Sequence, residues 1–161
     1  MTSTAHSGKS TIRHSGFTLV ELLVTVSIAA VLMSIGMPSL VDFIKNQAVG
    51  TASFDVTAML VLARSEAIKR NTNVVVTPAS SDWKDGWTVT VTSGGTTTTL
   101  GRQAAYSSAV SITSSVTSVT YGGNGRVQGT TVPTFAISGS SRTRCVSVSL
   151  SGLPNSKTGA C

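Results

Sequence analysis

The residues of this chain with chemistry to offer are one carboxylate, a thiol pair and a set of cations. Glu21 is the only charged residue between Phe17 and Met37, inside GFTLVELLVTVSIAAVLMSIGMP. An ionisable group within a bilayer span costs at least a few kcal/mol and reads first as functional, awaiting a counter-charge. The plainer reading is an anchor whose acid lies only about 6 Å from the helix start and reaches the headgroup layer. Cys145 and Cys161 either bridge or remain free thiols; a bridge would close a loop of about 15 residues, stabilise by roughly 3 kcal/mol and pin the C-terminus. From Gly86 to Cys161 there is no Asp or Glu, while Arg102, Arg126, Arg142, Arg144 and Lys157 are basic. Such a surface attracts phosphate backbones, and the alternative is a solvated, solubility-giving face. Arg142 and Arg144, two residues apart, would share one face of a strand.

These groups need elements to position them. At about 1.5 Å per residue, a helix from Phe17 to Met37 covers roughly the 30 Å hydrocarbon core of a membrane. Ahead of it lie Lys9 and Arg13 with no acid, which fits a cytoplasmic leader and an outward-facing remainder. A secretory signal peptide competes, but its apolar region is shorter and ends in a small-residue cleavage site. Here Pro38 and Ser39 follow, and helical patterning continues through Val41, Ile44, Ala48, Ala52, Val56, Met59, Leu60, Ala63 and Ala67. One helix is therefore expected from Phe17 to about Arg70, with a bend at Pro38.

Beyond Asn71 the period changes. Val74–Thr77, Trp87–Thr92, Thr96–Leu100, Val110–Val119, Thr134–Ile137 and Cys145–Leu150 are short, rich in Val, Ile and Thr, and bounded by Gly, Pro, Ser and Asn. They read as antiparallel strands, with a hairpin at Gly94-Gly95. The Ser/Thr density between Thr88 and Thr120 also suits a disordered or glycosylated stalk, but Val89, Val91, Leu100, Val110, Ile112, Val116 and Val119 supply an apolar side. With 161 residues, 40% of them apolar and 11% charged, and a net charge of +6, the chain suits one domain. About 120 residues remain for a modest core once the leader and the membrane run are set aside.

Gly16 followed by Phe17-Thr18-Leu19-Val20-Glu21 resembles the class III signal of type IV pilins and pseudopilins. The resemblance implies that a membrane-embedded prepilin peptidase cuts after Gly16 and methylates the new terminus at Phe17. It also implies that Glu21 pairs with the amino terminus of a neighbouring subunit, and that Pro38 is the family's helix-kinking proline. Both histidines, His6 and His14, would then be lost, removing Ser-His-Asp and Cys-His catalysis and histidine-ligated metal sites. No enzyme, metal or cofactor is expected.

LARSEAIKRNTNVVV followed by DWKDGWTV is similar to the FimT, FimU and GspH branch of minor pilins and pseudopilins, which carries an Ala-Arg-Ser-Glu-Ala helix end and a Gly-Trp pair. Arg64 and Glu66 are expected to fix the helix to the sheet. Trp83 and Trp87 would cover the junction, or else bind a ligand. The implied fold is α+β and type IV pilin-like: a leader at 1–16, a long helix at 17–70 with 17–37 transmembrane, and a β-rich globular domain at 71–161 closed by a disulfide loop. The implied function is a minor type IV pilin that takes part in assembly and priming and sits near the pilus tip. Alternatives are a DNA-binding minor pilin for natural transformation and a type II secretion pseudopilin. Partners would be other minor and major pilins, prepilin peptidase, inner-membrane lipid before assembly, and double-stranded DNA. The globular domain would lie in the periplasm and then at the cell surface. Some FimT-type pilins bind DNA through a C-terminal Gly-Arg-x-Arg segment; here that stretch is Gly152-Leu153-Pro154-Asn155, without either arginine, so Arg142 and Arg144 are the substitutes.

Overall fold

The computed structural model describes residues 16–161; Lys9, Arg13, His6, His14 and the expected leader ahead of Gly16 lie outside the described residues. Helix α1 runs Leu19–Arg70 with Pro38 inside it. Pro38 is also the last residue of the first of two compact units, the second being Ser39–Cys161.

In the first unit the backbone amide of Glu21 donates to Thr18 Oγ1 at 3.2 Å, so Thr18 caps the helix. Three hydroxyls in the apolar run are satisfied within the helix: Thr25 donates to the Leu22 carbonyl, Ser27 to Leu23 and Ser34 to Val31. A lipid-facing helix tolerates them for that reason. The large apolar side chains from Phe17 to Met37 are all more than half exposed.

In the second unit the helix buries Val49, Ala52, Ser53, Val56, Met59, Leu60, Ala63 and Ala67. The stripe is thus set slightly later than expected. Val41 and Ile44 stay exposed, because the buried stripe begins only at Val49. The helix ends where Asn71 adopts φ 49°, with Thr72 N donating to the Ala67 carbonyl and Asn71 N to Ile68. That pair of bonds is a Schellman cap, with asparagine in the left-handed position usually held by glycine.

The strands form two four-stranded antiparallel sheets rather than one. They are β1 (Val74–Pro78), β2 (Trp87–Ser93), β3 (Thr96–Gln103), β4 (Ser111–Ser114), β5 (Val119–Tyr121), β6 (Thr134–Ser138), β7 (Thr143–Val148) and β8 (Pro154–Thr158). The first sheet has the order β3-β2-β1-β5, the second β4-β6-β7-β8. Gly94 and Gly95 both have positive φ and make the expected β2–β3 hairpin turn.

The expected single strand Val110–Val119 is instead β4 in one sheet and β5 in the other. Serine side chains take over the backbone bonds at the break: Val116 N donates to Ser114 Oγ, and Thr134 N to Ser115 Oγ. The last expected strand, Cys145–Leu150, begins two residues earlier and ends at Val148. Strand β8 has no apolar alternation and was not expected; it is an exposed polar edge held by five register pairs to β7.

The inner faces of both sheets meet the helix stripe in one buried cluster, from Val74, Val76, Val89 and Val119 to Ile112, Phe135, Ile137, Val146 and Val148. Each such side chain contributes about 1.5–3 kcal/mol of transfer free energy. Trp83 links the sheets, stacking edge-on to Phe135 with centroids 4.9 Å apart and lying 6.5 Å from Trp87. Its indole nitrogen donates to the Val116 carbonyl at 3.1 Å. Both tryptophans are core residues.

Candidate functional site

The amino-terminal site is built by the helix start. Thr18 at the cap and Glu21 three residues on form the Thr-x-x-Glu spacing of a capping box, a signal legible in the sequence and missed there. The carboxylate of Glu21 therefore sits in the first helical turn, where the exposed amides of the helix end favour negative charge. Gly16 and Phe17 precede it in non-helical backbone and are exposed, Phe17 at 78%.

At the other end of the helix, Arg64 Nε donates to the Gly125 carbonyl at 3.0 Å. Gly152 packs so closely on that carbonyl that a Cβ there would collide with it, and it would lie 3.2 Å from Arg64 Nε. Gly125 and Gly152 have φ of 73° and 84°, where L side chains are strained. Arg64 thus ties the helix to the Asn-Gly-Arg loop and, through Gly152, to the β7–β8 turn, as expected for a residue that fixes helix to sheet. Glu66 does not share that task. It binds Arg70 Nε at 2.6 Å and Lys69 at 3.6 Å on its own helix, and the Arg70 hydrogen bond holds its carboxyl below the usual range.

Two tyrosines complete the packing, and nothing in their spacing announced them. Tyr106 Oη donates to Asp55 Oδ2 at 2.8 Å, and its pKa is raised by burial and by that carboxylate. Tyr121 is fully buried and its hydroxyl has no hydrogen-bond partner among the described residues. Burial pushes it up to about 12, the nearby Arg64 charge partly opposing.

Cys145 and Cys161 form a disulfide, with Cα atoms 5.0 Å apart. The bridge ties the chain end to β7 and encloses β8. Cys145 pairs with Lys157 across the β7–β8 ladder, so both lie on the outer face of the second sheet.

The basic residues are dispersed. Arg102 pairs with Thr88 on the outer face of the first sheet, and Arg126 lies in the loop after β5. Arg142 is not in a strand; its carbonyl accepts from Gly139 N in the turn before β7. Arg144 shares the inner face of β7 with Val146 and Val148, and its Nε is buried without a partner among the described residues. Arg142, Arg144 and Lys157 stand near one end of the second sheet, Lys157 on the opposite face from Arg144. Among the described residues no group of three or more His, Cys, Asp or Glu could hold a metal ion.

With this geometry in view, two families match the sequence. Type II transport protein GspH matches residues 52–152, and the prokaryotic N-terminal methylation motif matches residues 12–37. No curated protein sequence matches. Two crystal structures of the type IV minor pilin FimU from Pseudomonas aeruginosa are similar in fold. One is 24% identical, covering 70% of this chain and 98% of that one with a TM-score of 0.59. The other is 23% identical, covering 74% and 98% with a TM-score of 0.63.

Proposed function

The chain belongs to the GspH family of type IV pilin-like minor pilins and pseudopilins and carries the prokaryotic N-terminal methylation motif, and on that premise we propose that it is a minor pilin built into a type IV pilus near its tip, where it helps to prime assembly. Prepilin peptidase removes residues 1–16 and methylates Phe17. Residues 17–37 hold the subunit in the inner membrane with the globular domain in the periplasm until it is taken up.

The observation that carries this reading is unpartnered apolar surface on the helix. Residues from Phe17 to Ile44 leave their large apolar side chains about half exposed or more. Such a surface requires lipid or other helices. In the second unit, Phe43, Phe54 and Val61 also stay exposed on the helix side opposite the buried stripe, with Phe54 73% exposed. Glu21, the one charge in the first unit's helix, supplies the counter-charge for a neighbour's amino terminus.

The dispersal of Arg102, Arg126, Arg142, Arg144 and Lys157 over different faces favours assembly over DNA capture as the primary role. The experiment is a deletion strain scored for surface pili, type II secretion and transformation. Loss of pili with secretion intact supports the pilus reading. A secretion defect alone assigns the subunit to a pseudopilus, and a transformation defect with normal pili assigns it to DNA uptake.

A further inference from the structure

The outer face of the first sheet carries a polar cleft. It is an open depression of about 620 Å³ and lies where the helix cap, β1, β2 and the loop after β5 converge. Its polar groups are Asn71, Asn73, Asn124, Gln128 and the hydroxyls of Thr72 and Thr92, over a floor that includes Val75. No charged and no aromatic side chain lines it.

We propose that this cleft binds an uncharged glycan. Each amide offers a donor and an acceptor, the complement of a sugar hydroxyl, which is also both. The amides are held ready. Gln128 Nε2 donates to Asn73 Oδ1 at 2.9 Å, and Asn124 Oδ1 accepts from Arg126 N at 3.1 Å. Gln128 Oε1, Asn73 Nδ2 and Asn124 Nδ2 are left without partners among the described residues. A Cβ on Gly123 would come within 2.8 Å of Asn71 Oδ1, and one on Gly122 within 3.1 Å of both Asn124 Oδ1 and Gln128 Nε2. Gly123 thus lets the loop pack against the Asn71 backbone, and Gly122 leaves room for the Asn124 and Gln128 side chains, which keeps the amides side by side.

The same surroundings argue against other ligands. Phosphates and acidic polymers need cations, and single-stranded nucleic acid needs aromatic platforms. An extended peptide needs an open strand edge, whereas β1 is paired on both sides, by β2 and β5. The inference does not depend on the assembly reading, since it rests on the cleft alone.

The test uses the full chain in a detergent without a sugar headgroup, titrated with N-acetylglucosamine tetramer and with glucose tetramer and followed by side-chain amide NMR. Saturable shifts confined to Asn71, Asn73, Asn124 and Gln128 are expected, insensitive to salt. An Asn124→Ala, Gln128→Ala double variant should weaken binding about tenfold or more, as loss of two hydrogen bonds implies. Both side chains are exposed, so without ligand the variant's spectrum should change only around the positions themselves and their partners Arg126 and Asn73. No binding of either tetramer at roughly millimolar concentration, equal binding by the variant, or shifts produced only by a peptide or a charged oligosaccharide would overturn the proposal.

Discussion

The backbone amide of Glu21 donates to the side-chain oxygen of Thr18, so the single carboxylate of the apolar run is fixed in the first turn of the helix. Thr18 caps the helix start, and so sets how Glu21 is presented relative to the proposed cleavage point at Gly16. A helix begun one residue later would rotate the carboxylate by about 100°. On the proposed function, processing and assembly would share this one short segment.

Processing gives the first prediction. Gly16→Val should leave the chain uncut, because the peptidase reading requires a small residue there. Intact-mass spectrometry should then find residues 1–16 retained, with His6 and His14, while the parent begins at a methylated Phe17. A parent terminus at any other residue contradicts the pilin reading.

The disulfide gives the second. Cys145→Ser or Cys161→Ser should destabilise the globular unit by about 3 kcal/mol, as expected for a loop of this length. Denaturant unfolding of the purified chain measures it. The helix and both sheets should survive, since Cys145 adds little to the buried cluster and β8 keeps its ladder to β7.

The tyrosines separate by their partners. Tyr106→Phe should cost about 1 kcal/mol, since its hydroxyl donates to Asp55. Tyr121→Phe should be neutral or stabilising by up to about 1 kcal/mol, since it removes a buried hydroxyl without a partner. Both phenols are raised in the folded state, so their contribution is complete below the unfolded value of about 10. It is lost as pH rises from there, through about 12 for Tyr121. Tyr121→Phe should therefore flatten the alkaline fall in a stability–pH profile; an unchanged profile would show that Tyr121 titrates normally.

Much of this was legible beforehand, for physical reasons that differ by element. The helix and the Gly94-Gly95 hairpin follow from periodicity and from turn chemistry that glycine satisfies. The bridge between Cys145 and Cys161 was one of two readings that the pair of cysteines allowed, and the structure has it formed. Strand β8 was illegible because Pro154-Asn155-Ser156-Lys157-Thr158 lies at a sheet edge, exposed except for a half-buried Pro154, and so carries no alternation. The split at Ser115 was hidden because serine reads equally as a strand residue and as a local cap. Glu66 was misassigned because its partners on one helix turn, Lys69 and Arg70, were closer than anything on the sheet. Tyr121, Tyr106 and the amide cleft depend on residues far apart in sequence, which no spacing rule brings together.

Duplex DNA offers a further check on the basic residues. Because Arg144 has a buried Nε and Arg142 stands in an exposed turn, Arg142→Ala should lower the log–log salt slope of any non-specific binding by about 0.9, and Arg144→Ala by less. Equal losses of about 0.9 each would mean that both touch phosphate. Electrophoretic mobility at several salt concentrations distinguishes the two.

The most direct measurement concerns Glu21. Cells producing Glu21→Ala in place of the parent chain would be sheared, and the subunit quantified in the filament and membrane fractions. The variant should insert into the membrane at least as well as the parent, since a charge has left an apolar helix, while its share in the filament falls about tenfold or more. A filament fraction equal to the parent's would contradict the role of Glu21 as the counter-charge that drives assembly.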